Sequence, residues 1–447
     1  MKKLLPDITC PHCWAHFPPH DLLWLAEHPD LQGDLRLSGP ISTKGDRTFQ
    51  HCFRPIRFDL NNRPLDLEGI PCTKRACPNC HLFIPERLLD TPPLFLSIAG
   101  APQAGKSYYL GNMVYHVQKA AARFGLNFND EATELNGLIN RYKNTFYGQN
   151  DQELYVDIEK TEEVGELWYS TIYDGIHKYA YPRPFVFGVR LKEDKHPHAK
   201  QKENRERILC LYDNAGESFL PGMEKRLHPV TRHLAESSAV LFLFDPTQDP
   251  NLRSVLRKTS EDPQLESVQD KGPRVESGTQ DPDQQQILNV VAERIKAERQ
   301  SGGTMIDAPL IVLVAKADVL PPIEGVPCFQ DVTNATYKAV NTTCYDKSES
   351  LWKLNLSTIR DISNSLRAFM EQHVPQFVSA AEANWSPDQI YYVPVSALGR
   401  SPHRVQREDG QGSYLAIRPD NLRPLFVELP MLLAFHLANN KLVLSAD

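Results

Sequence analysis

The run Leu94-Phe95-Leu96-Ser97-Ile98-Ala99-Gly100-Ala101-Pro102-Gln103-Ala104-Gly105-Lys106-Ser107 constrains this chain more than any other stretch. An apolar strand enters G-x-x-x-x-G-K-S, and a helical pattern follows with Tyr109, Leu110, Met113, Val114 and Val117 on one face. Glycines at both ends of the loop permit the backbone angles that turn successive N–H groups onto one anion. The helix behind adds its positive end. In that setting Gly100, Ala104 and Gly105 form a phosphate cradle, Lys106 reaches the β- and γ-phosphates, and the Ser107 hydroxyl sits on Mg²⁺.

Three later strand ends carry matching chemistry. Ile208-Leu209-Cys210-Leu211-Tyr212 reads as a buried strand, antiparallel to Phe185–Leu191, and closes on Asp213-Asn214-Ala215-Gly216-Glu217. An Asp beside a phosphate loop can hold Mg²⁺ through water, and Gly216 can turn its N–H onto the γ-phosphate. Glu217 follows where a residue orienting the attacking water would stand. The strand Ala239–Phe244 closes on Asp245-Pro246. Leu310–Val314 runs into Ala315-Lys316-Ala317-Asp318, where a carboxylate can take both N1–H and N2–H of guanine and a lysine stem can lie along the base. Ile390–Val395 ends at Ser396-Ala397-Leu398, a turn whose backbone N–H groups can meet the guanine carbonyl. The region 125–184 reads as mixed helix and loop. Thr145, Thr161 and Thr171 are all candidates there for a mobile loop's Mg²⁺ ligand, and nothing selects among them.

Residues 1–90 read as a separate Cys-rich unit. Cys10-Pro-His-Cys13 and Cys77-Pro-Asn-Cys80 have the spacing with which two turns complete a closed tetrahedral zinc site. Cys52, Cys72, His12, His51 and His81 are possible substitutes or supporting groups. A unit this small draws folding energy from its metal. Residues 91–447 read as the nucleotide-binding domain. The polar stretch near 258–286, poor in large apolar residues, reads as a disordered insert.

Composition narrows the function classes. A net charge of −7 argues against generic nucleic-acid binding by phosphate neutralisation. No apolar run is long enough to span a bilayer. Pro6, Asp7 and Cys10 interrupt any export signal after Met1-Lys2-Lys3. A cytoplasmic address follows, where nine Cys serve as metal ligands or free thiols rather than disulfides.

Taken in order, Gly100–Ser107, Asp213–Gly216, Ala315–Asp318 and Ser396–Leu398 resemble the first, third, fourth and fifth motifs of the translation-factor-related (TRAFAC) class of P-loop GTPases, over about residues 94–440. More narrowly, the Cys-rich start, the Asp-Pro and the late terminal helix resemble bacterial double-GTPase proteins of conflict systems. The resemblance implies an α/β P-loop domain with a mixed, mostly parallel sheet. It implies GTP and Mg²⁺ as ligands, slow hydrolysis coupled to partner binding, and a second GTPase or another protein of the same system as partner. It carries Lys106, Ser107, Asp213, Gly216, Lys316 and Asp318 onto matching roles. Two departures weaken the pattern: Ala315 stands where Asn is usual, and Glu217 where Gln is commoner. A regulatory ATPase and a zinc-containing interaction scaffold with a vestigial nucleotide site are the competing classes.

Overall fold

Seven apolar runs build one sheet. They are β1 (Pro93–Gly100), β2 (Leu126–Asp130), β3 (Phe185–Leu191), β4 (Glu206–Asp213), β5 (Ala239–Phe244), β6 (Leu310–Val314) and β7 (Ile390–Pro394). The computed structural model describes all residues except 1–3, 39–48, 152, 157–168, 176, 202–204, 214–231, 267–282, 300–304, 331, 349 and 407–412. Across the sheet the order is β7-β6-β5-β1-β4-β3-β2. The pairs from β7 to β4 are parallel, whereas β3 runs antiparallel to both β4 and β2. The β3–β4 hairpin sits where the sequence places it, with Phe185 opposite Leu211.

The helices α1 (Lys106–Ala120), α2 (Gly137–Tyr147), α3 (Gln284–Arg299), α4 (Leu356–His373), α5 (Pro375–Asn384) and α6 (Leu429–Ala438) supply the helical layers around the sheet. Both faces of the sheet are covered, which is why its strands read as continuous apolar runs. Side chains alternate between faces. In β4, Leu209 and Leu211 join the core built with the helices, while Ile208, Cys210 and Tyr212 face the other way.

That second face is covered by the Cys-rich segment. Trp14, Phe17, Ile84, Leu88 and Leu89 pack with Phe95 of β1, Val186 of β3 and Tyr212 of β4. The segment itself holds two short hairpins, Ile8–Thr9 with His16–Phe17 and Arg75–Ala76 with Phe83–Ile84, each turning at a C-x-x-C.

Several sequence expectations differ from the structure. The region 125–184 is not only helix and loop. It contains β2 and a hairpin of Tyr169–Asp174 with His177–Pro182. Residues 258–266 and 283–286, inside the stretch read as a disordered insert, carry the 3₁₀ turn Pro263–Leu265 and the start of α3. Side-chain caps hold that turn, a local signal that average polarity hides. Residues 267–282 lie outside the described residues. The last helix spans Leu429–Ala438.

Candidate functional site

All five parallel strands end on one edge, and the order changes direction at β1, whose neighbours are β4 and β5. In open α/β sheets the ligand crevice lies outside such carboxyl ends. A cavity of about 460 Å³ opens there. It lies within the size range of small-molecule sites. Its walls include Gly105, Lys106, Ser107, Lys316, Asp318 and Ala397. Residues far apart in sequence therefore meet in one chamber.

The loop after β1 has the backbone that the motif requires. Gly100 has φ +151°, and a Cβ there would stand 2.6 Å from the Leu243 carbonyl oxygen of β5. Gly105 precedes α1 in a left-handed conformation, φ +92°. Ala104 is a buried residue of the loop and lines the cavity. The first N–H groups of α1 have no acceptor in their own helix, so the cavity meets a helix N-terminus. Lys106 is buried and donates to Gly100 O at 3.0 Å and Ala101 O at 2.8 Å. Neutral carbonyls are weaker partners for an ammonium than a phosphate oxygen.

Asp213 ends β4, and its carboxyl is buried. Among the described residues neither of its oxygens has a hydrogen-bond partner. Burial pushes its pKa up to about 6, opposed by the nearby Lys106 charge. A buried carboxyl with two unpartnered oxygens, at the end of the strand beside β1, offers the oxygen ligands that a hydrated hard cation takes. Asn214, Gly216 and Glu217 lie outside the described residues, as does Thr161. Thr145 donates to Arg141 O within α2, and Thr171 pairs with Ala180 in the 169–182 hairpin, so neither lines the cavity.

The wall around Lys316, Asp318 and Ser396 differs from expectation in two ways. Lys316 has φ +51°, and its ammonium bonds Asp245 Oδ2 at 2.6 Å, Thr247 Oγ1 at 2.9 Å and Gln264 Oε1 at 2.7 Å. All three of its donors are engaged, so only its stem is available to a ligand. Asp245, fully buried, also accepts from Thr247 N and Thr247 Oγ1. The Asp-Pro after β5 thus anchors the lysine. Second, Ser396 does not offer its backbone N–H to a base, because that N–H donates to Leu425 O at 3.0 Å. The Ser396 hydroxyl instead donates to Asp318 Oδ1 and accepts from Gly399 N. Ser396 positions Asp318, and Ser396, Ala397 and Leu398 all line the cavity. Burial pushes the Asp318 carboxyl pKa up, and the Ser396 hydrogen bond pulls it back.

A second cluster lies under the sheet's other face. Cys10, Cys13, Cys77 and Cys80 are buried and bring four sulfurs within 4.8 Å of one another. Cys10 Sγ lies 3.7 Å from Cys80 Sγ, as does Cys13 Sγ from Cys77 Sγ. Tetrahedral zinc thiolates at about 2.3 Å place sulfurs roughly 3.8 Å apart. His12 N and Asn79 N donate to Cys10 Sγ and Cys77 Sγ at 3.3 Å each, and Asn79 Nδ2 donates to Cys13 Sγ. Such N–H···S bonds suit thiolates and orient them as ligands. His81 is not a fifth ligand of this cluster; its Nδ1 pairs with Asp34 at 2.9 Å. Cys52 donates to His81 O, and Cys72 to Ile70 O.

The coupling between the two clusters escapes sequence reasoning. Tyr212, next to Asp213, donates its hydroxyl to Pro11 O inside the first C-x-x-C at 2.6 Å and accepts from Trp14 Nε1 at 3.1 Å. His233 stacks on Tyr212, with ring centroids 4.9 Å apart. The nearest sequence signal is an aromatic beside each motif.

No protein-family profile matches this sequence. SaeC of Mycolicibacterium smegmatis (strain ATCC 700084 / mc(2)155), provisionally named an ESX-1 scaffolding and assembly protein, is 25% identical over 262 residues. That match covers 55% of this chain and 59% of SaeC. Among solved structures, the GTP-bound GTPase-like domain of S. cerevisiae Ski7 aligns with 78% of this chain and 51% of that one, at 14% identity. Its TM-score is 0.27, too loose a superposition to carry inference.

Proposed function

We propose that this chain binds GTP with Mg²⁺ and hydrolyses it slowly, as a switch within a multi-protein assembly. The observation that carries the reading is that one cavity is lined by both Lys106 and Asp318. A triphosphate gripped by the loop and a purine checked at Asp318 fit the chemistry of its walls. Lys106 would leave its two carbonyls for the β- and γ-phosphates, and Ser107 and Asp213 would hold the cation. Mg²⁺ bound there supplies charge neutralisation for the phosphates. In hydrolysis a water oxygen bonds to the γ-phosphorus as the bond to the β–γ bridging oxygen breaks. The products are GDP and inorganic phosphate, and the proton passes to phosphate. Lys106 stabilises the charge that moves to the bridging oxygen. Glu217 would orient the water, and Gly216 would meet the γ-phosphate.

The zinc reading for Cys10, Cys13, Cys77 and Cys80 rests on the fit of their sulfur spacing, with a structural role. A protein partner agrees with the name of SaeC, which speaks of scaffolding and assembly. A second GTPase of the same system is the partner we favour, in the cytoplasm. Among the described residues no helix is long and apolar enough to cross a membrane.

An interaction scaffold is the second reading. It is favoured by the exposed Ile56, Phe58, Leu60 and Leu67 in the Cys-rich segment. Competition binding of labelled GTP separates the readings. Excess ATP should fail to displace it, and Lys106→Ala should abolish its retention. Normal GTP retention by Lys106→Ala would remove the site assignment, and displacement by ATP would favour a regulatory ATPase.

A further inference from the structure

One side chain on the base-facing wall belongs to none of the four motifs. Gln264 sits in the 3₁₀ turn Pro263–Leu265, where the buried Asp262 accepts from Gln264 N at 2.7 Å. It lines the same cavity as Lys106 and Asp318. Its Oε1 accepts from Lys316 Nζ at 2.7 Å. An ammonium carries donors only, so this contact fixes which end of the amide is oxygen. Lys316 is itself held by the fully buried Asp245 and by Thr247, so the amide is anchored before any ligand arrives. Among the described residues the NH₂ end has no hydrogen-bond partner.

This anchoring changes what the glutamine can read. A free glutamine amide suits adenine, donating to N7 and accepting from the N6 amine. Here Lys316 occupies the oxygen, and the remaining N–H donors suit a purine edge made of acceptors. Guanine offers N7 and O6, both acceptors, whereas adenine places a donor at position six. Meanwhile Ala315 has no side-chain amide with which to meet the base.

We propose that Gln264 is a base-selecting residue: its NH₂ donates to the O6/N7 edge of guanine while Asp318 takes the N1–H and N2–H edge. It thereby supplies, from a loop after β5, the amide contact that Ala315 cannot make. The inference rests on the GTP reading of the cavity.

The test is calorimetric titration of the whole chain, with Mg²⁺, by GTP, inosine triphosphate and ATP. Inosine keeps O6 and N7 and lacks only the N2 amine, so it reports on Gln264 without the full Asp318 contact. Gln264→Leu should weaken GTP and inosine triphosphate by about tenfold each, the scale of one lost hydrogen bond. ATP binding should not fall. Gln264→Glu keeps an oxygen for Lys316 but offers no donor. It should weaken GTP further, narrow the GTP-to-ATP ratio and leave the melting temperature unchanged. A Gln264→Glu protein with the wild-type ratio would overturn the inference. So would equal weakening of all three nucleotides by Gln264→Leu, which would mark Gln264 as a support for Lys316. Wild-type protein that binds none of the three would remove the GTP reading itself, and the inference with it. Wild-type GTP binding with an insensitive ratio removes the inference alone.

Discussion

Asp213 is a residue of the candidate site whose chemistry depends on pH. Burial raises its carboxyl pKa to about 6, well above the usual carboxylate range. The folded chain therefore holds a proton there that the unfolded chain has lost. Its contribution to stability is present below about pH 4 and is lost as pH rises through about 6. Cation binding runs the other way, because it needs the carboxylate. Mg²⁺-dependent nucleotide affinity should fall about tenfold per pH unit below 6, and Asp213→Asn should bind Mg²⁺ weakly at every pH. A titration series from pH 5 to 7 with a flat wild-type profile would contradict this assignment. At this scale the sequence reveals residues tied to a spacing rule. Lys106 and Asp318 stand at fixed offsets from strand ends, and the cavity unites them. Gln264 stands in a capped 3₁₀ turn that belongs to no nucleotide motif, so its place on the wall depends on tertiary folding. Ser396 is an intermediate case: its position is legible, but which of its groups is spent on Leu425 is not.

At the scale of elements, legibility follows burial. Strands covered on both faces show as unbroken apolar runs, which is how β5 and β6 stand out. The hairpin Tyr169–Asp174 with His177–Pro182 is largely half-buried and has no unbroken apolar run, so its Tyr, Thr and Ile are the only strand signal it carries. The β1–loop–α1 unit is legible because its glycines are forced by geometry. Gly100 combines a positive φ with close approach to β5, so a side chain has no room. Gly100→Ala should push β1 away from Leu243 and cost about 2 kcal/mol or more, counting strain and overpacking together. The urea midpoint should drop, and nucleotide retention should fall with it. A midpoint equal to wild type would show that the loop accommodates a Cβ by a route the backbone does not suggest.

At the scale of the whole molecule, the Cys-rich segment is built onto the sheet. It supplies the cover for the face that carries Phe95, Ile208 and Tyr212. That attachment is not legible from residues 1–90, since the apolar partners lie on β1, β3 and β4. It has a thermodynamic consequence. Tyr212 joins the Cys10–Cys13 turn through Pro11 O and directly precedes Asp213. Any ordering of Asp213 by a cation and nucleotide bears on the position of Tyr212, and so on the knuckle. Coupling between binding sites is reciprocal. GTP with Mg²⁺ should therefore tighten zinc, read as slower loss to a chromogenic chelator, and zinc removal should weaken GTP by the factor by which GTP tightens zinc at equilibrium. Tyr212→Phe removes one donor to Pro11 O and the acceptor for Trp14 Nε1. It should cost roughly 2 kcal/mol of stability through the unsatisfied buried groups and shrink the coupling factor. Equal zinc-release rates with and without nucleotide in the wild type would mean that the cover is passive and that the tyrosine serves packing alone.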